Sequence, residues 1–390
     1  MFELALPTPI WINTSAGLKR LADKLEQQPR IAVDTEANSL YVYRERVCLI
    51  QFSVPGADFL VDPLALADLS PLEKIFSSPR IEKIFHAADY DLYGLNHDFG
   101  FTFANLYDTM IAAHTLGYTA LGLNALVLRY FGIELDKHYQ KANWGERPLS
   151  PEQIDYARFD THYLLALRDR LDEDLREQDR WQLAHEDFVR CAHVLLHNGD
   201  PRERWERING HLDLDARQRT ILHELCLFRE RMAEKLDHPL FKVISDALLL
   251  EIARRAPATL EELAETGLSE RQTQRFGRAL LESVHRGQTA QLVRLTAPEK
   301  ASEAFILRLK RLKAWRKETA LALEVESDVI LPRTTLQAIA VENPHTPAAL
   351  AKIMAEAPWR LEKYGAEILK TLSMRYTESE QSFELRGAEK

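Results

Sequence analysis

The sequence predicts an α/β domain followed by two copies of an all-α module, and three observations lead there. Strand-like runs crowd into residues 30–85, helical spacing dominates from Tyr107 onward, and the later part of the chain repeats itself at an offset of 87 residues. A length of 390 residues is two to three times that of a common domain, so more than one core is expected. With 46% hydrophobic and 28% charged residues, 15 Gly and 17 Pro, the chain is neither disordered, collagenous nor of low complexity.

Taken in order, Ile31-Ala-Val-Asp-Thr-Glu36 alternates as a half-buried strand does, and Val47–Val54 and Asp58–Val61 follow it. Pro55-Gly56 supplies a turn between the last two, so the three read as an antiparallel meander. Pro63–Phe76 has helical spacing, Ile81–Phe85 is a short β-rich run, and Asp89–Asn96 is helical again. Helices are then expected at Thr109–Leu116, at Leu121–Tyr130 and in a long element opened by Ser150-Pro151-Glu152, with Ser as N-cap and Pro at the first helical position. Turn formers and charges from His197 to Arg204 mark a domain boundary. Beyond it, Leu222, Leu225, Leu249, Ile252, Ala253, Pro257, Thr259 and Leu263 fall on Leu309, Leu312, Leu336, Ile339, Ala340, Pro344, Thr346 and Leu350. One extra residue aligns Phe276-Gly277 with Tyr364-Gly365, so two copies of one small helical module are the economical reading. The division expected is residues 1–196 for the α/β domain, 197–212 for a linker, 213–292 and 298–376 for the two modules, and 377–390 for a polar tail that frays.

Cys48, Cys191 and Cys226 lie too far apart for a disulfide framework, and no stretch approaches the ~18–20 uncharged apolar residues of a membrane span. With no basic start and apolar core at the N-terminus, a cytoplasmic protein is expected. The net charge of −9 is too coarse to exclude a polyanionic partner, because nucleic-acid affinity follows local Lys/Arg patches.

Three short elements carry chemistry. Asp34 and Glu36, two apart in a strand, leave the same face of the sheet, and a divalent cation is the usual relief for like charges so placed. His86-Ala-Ala-Asp-Tyr-Asp-Leu92 runs a short strand into a helix with Asp89 and Asp91 in its first turn, where acids also suit the helix dipole. Tyr156-Ala-Arg-Phe-Asp160 sets a phenol and a carboxylate four apart on one helical face. Hydrolysis of a phosphodiester needs an activated water and neutralisation of the leaving oxygen, and two hard cations roughly 3.5–4 Å apart supply both. Oxygen ligands suit Mg²⁺ or Mn²⁺. A phenol that titrates near 10 can orient the attacking water without taking its proton.

The order V-D-T-E, then F-H-A-A-D-Y-D-L, then Y-A-R-F-D-T-H-Y-L-L resembles the three motifs of the DEDD exonuclease superfamily in its tyrosine-bearing subclass. Asp108-Thr109, Leu135-Asp136-Lys137 and Asn143–Leu149 also look like ribonuclease D, and the paired modules resemble HRDC domains. The second module departs from that pattern, with Leu331-Pro332 standing for Ser245-Asp246. The resemblance implies a ribonuclease H-like mixed sheet with flanking helices. It also implies two divalent metal ions, with Asp34, Glu36 and Asp160 as direct ligands, Asp91 holding the second ion through water, and Tyr156 orienting the nucleophile. Asp89 is the alternative to Asp91. The activity implied is stepwise 3′-to-5′ hydrolysis of RNA, with transfer RNA precursors as substrates and nucleoside 5′-monophosphates as products. A monomer that uses no nucleoside triphosphate is expected, since no P-loop is present.

Contacts to substrate are expected from Lys137, Trp144 and Arg147, in an irregular segment where bases could stack and phosphates pair. Two further cationic stretches are candidates: Arg308, Lys310, Arg311, Lys313, Arg316 and Lys317 around Trp315, and Arg271, Arg275 and Arg278 on one helical face. The first also fits an amphipathic helix with Phe305, Leu309 and Leu312 turned inward. Cys191, His193 and His197 lack a fourth ligand for zinc, and no Gly-x-Ser-x-Gly elbow exists. Two rival readings stay open: a DNA exonuclease with the same metal site, and a nucleic-acid-binding protein whose nuclease domain is inactive.

Overall fold

The computed structural model describes residues 7–193, 204–295 and 302–374. A six-stranded mixed sheet of order β1-β4-β3-β2-β5-β6 organises the first domain. Its strands are β1 (Ile10–Ile12), β2 (Arg30–Ala37), β3 (Val47–Val54), β4 (Ala57–Val61), β5 (Glu82–Phe85) and β6 (Leu106–Asp108). The β2-β3-β4 meander is antiparallel, whereas β1 joins β4, β5 joins β2 and β6 joins β5 in parallel. The turn residue Gly56 takes φ 79°, a left-handed backbone that glycine adopts without Cβ strain.

Each face of the sheet has its own helical layer. Ile31 and Val33 of β2 point to one side, with α1 (Ser15–Glu26), α2 (Glu73–Phe76) and α3 (Asp89–Phe99). Ala32 and Ile84 point to the other, with α4 (Thr109–Thr115), α5 (Leu123–Phe131), α7 (Leu164–Glu177) and α8 (Trp181–His193). Between α5 and α7 runs α6 (Pro151–His162), capped by Ser150 in a full capping box with Gln153 and packed on β3 and β4. The long helix expected from Ser150 is therefore three helices. Pro63–Phe76 departs further from expectation. It turns helical only from Ser70, because Asp62 and Asp68 bond the amides of Leu64 and Ser70 and hold the chain in turns.

The two modules carry their helices in the order the repeat predicts. The first comprises α9 (Ala216–Leu236), α10 (Leu240–Val243), α11 (Asp246–Arg255), α12 (Leu260–Ala264) and α13 (Glu270–Thr289). The second comprises α14 (Glu303–Ala322), α15 (Ser327–Ile330), α16 (Arg333–Glu342), α17 (Pro347–Ile353) and α18 (Pro358–Ser373). Thr259 and Thr346 N-cap α12 and α17, and Ala256 and Asn343 end α11 and α16 at the same left-handed φ of 48°. The register of the departure needs one correction. Pro332 occupies the N-cap position that Ser245 holds, so Arg333 stands where the first module has Asp246.

The expected boundary at His197–Arg204 lies mostly outside the described residues, and so does the tail from Thr377. Part of the expected linker is not a linker, since Trp205 and Ile208 are buried in the core of the first module. No helix among the described residues is long and apolar enough to cross a membrane.

Candidate active site

Strand alternation delivers the first two carboxylates. Asp34 and Glu36 continue the face of β2 that begins with Ala32, and α6 crosses that face with Tyr156 and Asp160 turned toward it. Asp34, Glu36 and Asp160 can each offer an oxygen such that the three lie within 4.8 Å of one another. Asp91 arrives from the opposite layer, in the first turn of α3, and reaches the same end of the sheet. The Thr35 hydroxyl donates to its Oδ1 at 2.5 Å. Asp89 is turned away, accepting from the Cys191 thiol of α8. Of the two acids considered for the fourth position, Asp91 is therefore the one whose charge reaches Asp34, Glu36 and Asp160.

Burial and repulsion act together on this group. Asp34 is pushed well above the usual carboxylate range by burial, then by Asp91, Asp160 and Glu36. Glu36 is raised likewise, by burial and then by Asp160 and Asp91. Burial lifts Asp91 to about 7, and burial with the Asp91 charge lifts Asp160 to about 8. Asp160 Oδ2 is buried without a hydrogen-bond partner among the described residues. Oxygen-only donors, mutual repulsion and an orphaned buried oxygen fit a hard divalent cation. Tyr156 lines the same cleft, and burial and the nearby carboxylates push its phenol up, so it stays protonated at neutral pH.

Sequence reasoning missed the supports. Asp108 is almost fully buried and accepts from the backbone amides of Ala87, Ala88, Met110 and Ile111. It thereby caps α4 and holds Ala87 at φ 60°, a left-handed conformation uncommon for a residue with a Cβ. The signal was an Asp one residue ahead of a helix. Behind α6, Asp58 of β4 accepts from Arg158 Nε at 2.9 Å and bonds His162 Nδ1, while the Ser53 hydroxyl bridges Asp58 and Thr161. Arg158, Thr161 and His162 lie on the side of α6 away from Tyr156 and Asp160, so the helix is anchored at its back.

The expected substrate contacts divide. Lys137 is exposed and lines the cleft of about 410 Å³ that holds Asp34, Glu36 and Asp160. Its segment is pinned where the Asn124 side chain accepts from the Leu135 amide at 2.7 Å. Trp144 is corrected: at 1% exposure its ring packs 5.9 Å from that of Tyr156 and offers no open face to a base. Arg147 is corrected too. Its guanidinium is spent on both oxygens of Asp62 and on the carbonyls of Cys48, Trp144 and Glu146. Both residues shape the wall behind Tyr156 rather than meet a ligand. The arginines at 308, 311 and 316 likewise donate to the carbonyls of Ala340, Met374 and Leu331. Only the lysines of that stretch stay fully outward.

A family model described as 3′-5′ exonuclease matches residues 9–176, and the HRDC domain model matches 218–284 and again 307–372. Ribonuclease D of Gluconacetobacter diazotrophicus is 32% identical over 264 residues, covering 67% of this chain and 67% of that protein. The chain belongs to the ribonuclease D family. The crystal structure of Escherichia coli RNase D, described as an exoribonuclease involved in structured RNA processing, aligns with a TM-score of 0.69 and 26% identity. That alignment covers 92% of this chain and 99% of the other. Protein RRP6-like 3 of Arabidopsis thaliana is 32% identical over 282 residues, and the chain spans about a third (32%) of that protein's length. The ribonuclease D fold, a mixed-sheet exonuclease domain and two HRDC domains, is thus the architecture described above.

Proposed function

We propose that this protein is a divalent-metal-dependent 3′-to-5′ exoribonuclease that trims RNA 3′ ends, transfer RNA precursors among them, and releases nucleoside 5′-monophosphates. One observation carries the reading: three carboxylates gather within 4.8 Å beside a protonated tyrosine in one cleft. Asp34, Glu36 and Asp160 would hold metal directly, and Asp91 would complete the set for a second ion, as like charges this close require cationic relief. Bound there, a pair of divalent ions would supply Lewis acidity to the scissile phosphate and acidity to a water. Tyr156 keeps its proton and can give or take a hydrogen bond at the cleft wall, which orients a nucleophilic water without accepting its proton. Lys137, exposed at the rim, can pair with a phosphate of the incoming strand. Thr35 fixes the carboxyl of Asp91 in position.

The test is release of mononucleotides from an end-labelled precursor transfer RNA and from a matched DNA strand in Mg²⁺ or Mn²⁺. Release from RNA should stop with a chelator and with Asp34→Asn. Release that persists in Asp34→Asn would overturn the site, and faster release from DNA would overturn the substrate.

A further inference from the structure

His86 stands in the cleft with no part in the hydrolytic machinery described so far. It follows β5, and the β2–β5 pairing aligns Ala32 with Ile84, so two residues further on His86 lies beside Asp34 on the same face of the sheet. Neighbouring strands are about 4.8 Å apart. The ring lines the same cleft as Asp34, Glu36 and Asp160.

Its two nitrogens are not equivalent. Thr109 Oγ1 lies 3.0 Å from the carbonyl oxygen of Phe85 and 3.0 Å from His86 Nδ1. A carbonyl can only accept, so the single hydroxyl proton goes to Phe85, and the hydroxyl is left to accept from Nδ1–H. That fixes the tautomer: Nε2 carries the lone pair. No hydrogen bond among the described residues uses Nε2. Burial keeps the imidazole neutral, pushing it down to about 4. The backbone behind the ring is held rigid by Asp108, through the amides of Ala87 and Ala88.

A fixed, neutral acceptor one strand from Asp34 calls for a donor on the substrate. Metal-bound phosphate oxygens are acceptors and cannot satisfy it. The sugar joined to the scissile phosphate through its C5′ is the nearest part of the substrate that carries donors, its hydroxyls. We propose that His86 Nε2 accepts a hydrogen bond from the 2′-hydroxyl of the 3′-terminal nucleotide, making His86 and the Thr109 that sets its tautomer the determinants of preference for ribose over deoxyribose. The inference rests on the exonuclease reading but not on transfer RNA as substrate.

The experiment compares three otherwise identical oligoribonucleotides, ending in a ribo, a 2′-deoxy or a 3′-deoxy residue, and reads kcat/KM for release of that residue. In the unaltered enzyme the ribo end should be preferred over the 2′-deoxy end by roughly 3- to 10-fold, the worth of one neutral hydrogen bond. His86→Ala should bring that ratio close to one and leave the ratio of ribo to 3′-deoxy ends where it was. Thr109→Val, which keeps the shape but removes the acceptor that orients the ring, should shrink the 2′ ratio in the same direction. The equilibrium arm measures Kd for adenosine 5′-monophosphate and its 2′-deoxy form, and the same ratio should collapse in His86→Ala. A 2′ ratio that survives both substitutions overturns the assignment, and so does collapse of the 3′ ratio instead. Failure of the nuclease reading would look different: no residue released from any strand, with the Kd ratio still reporting on His86.

Discussion

Three carboxyl groups share a cleft with Asp91 close behind them, burial raises all four and the Asp91 charge adds to the rise of the other three, and this ties stability to pH in a definite direction. Unfolded carboxyls titrate near 4, whereas Asp91 and Asp160 hold their protons to about 7 and about 8. Across that range the folded, metal-free protein binds more protons than the unfolded chain, so its stability falls as pH rises from 4 to 8. Metal reverses the penalty by competing with those protons. The Tm in Mg²⁺ minus the Tm in chelator should therefore widen from pH 5 to pH 8, by thermal denaturation at each pH, and a constant difference would show that these carboxyls do not hold the ion. Tyr156→Phe tests the neighbouring phenol. It should lower kcat by about 10²–10³-fold, within the range of positioned proton-handling groups, while Mn²⁺ affinity by calorimetry stays unchanged. At this scale the sequence was legible where chemistry dictates spacing: Asp34 and Glu36 by strand alternation, Tyr156 and Asp160 by helical repeat. It misled at Trp144 and Arg147. An aromatic and a cation in an irregular segment look alike whether they face solvent or a wall, and only burial tells them apart.

Elements matter here through what they hold at their backs. Helix α6 presents Tyr156 and Asp160 because Arg158, Thr161 and His162 bind it to β3 and β4 through Asp58 and Ser53. Burial alone would raise Asp58, but bonds from His162 and Ser53 and the Arg158 guanidinium prevail and hold it low. The anchor's contribution is therefore present above pH 4 and lost only in acid, opposite in sign to the cluster in front. Asp58→Asn should lower kcat by on the order of ten- to a hundredfold, since a misplacement of about 1 Å can cost that much, with KM for a short oligonucleotide little changed. A Phe59→Leu variant that loses similar Tm but keeps kcat would separate anchoring from general destabilisation; equal kcat losses in both would refute it. None of this was readable beforehand, because Asp58 and Arg158 are 100 residues apart and no local pattern links them. The same reason hid β1 and β6. Each has three residues and pairs in parallel with a strand distant in sequence, too short for alternation to register.

At the scale of the molecule both modules are docked on the exonuclease domain, each by a different device. The first grips the loop that follows the catalytic strand: Asp237 accepts from the Tyr43 amide, Glu230 from the Tyr43 hydroxyl and Glu234 from Arg44, while Lys242 lies 4.5 Å over the Tyr41 ring. The second is locked through a buried cation. Arg360 of α18, 1% exposed, pairs with Glu186 and Asp187 of α8 and also donates to the carbonyls of Val329 and Ile330. Leu183 of α8 meanwhile sits in the second module's own core. Helix α8 thus belongs to two cores at once, and a cut near residue 196 or 200 would strip it of apolar cover and leave two buried acids without their cation. A substitution at the lock is the cleaner probe of what the second module does. Arg360→Met keeps the volume but removes the charge, which should cost about 3–5 kcal/mol and appear as a lower urea midpoint. Adding Glu186→Gln and Asp187→Asn should recover part of it, because the uncompensated charges are then gone. If the docked module presents its outward lysines to folded RNA, Arg360→Met should raise KM for a precursor transfer RNA several-fold more than for a short single strand, and the triple variant should move KM back. Equal KM changes on the two substrates would mean that docking serves the stability of α8 alone.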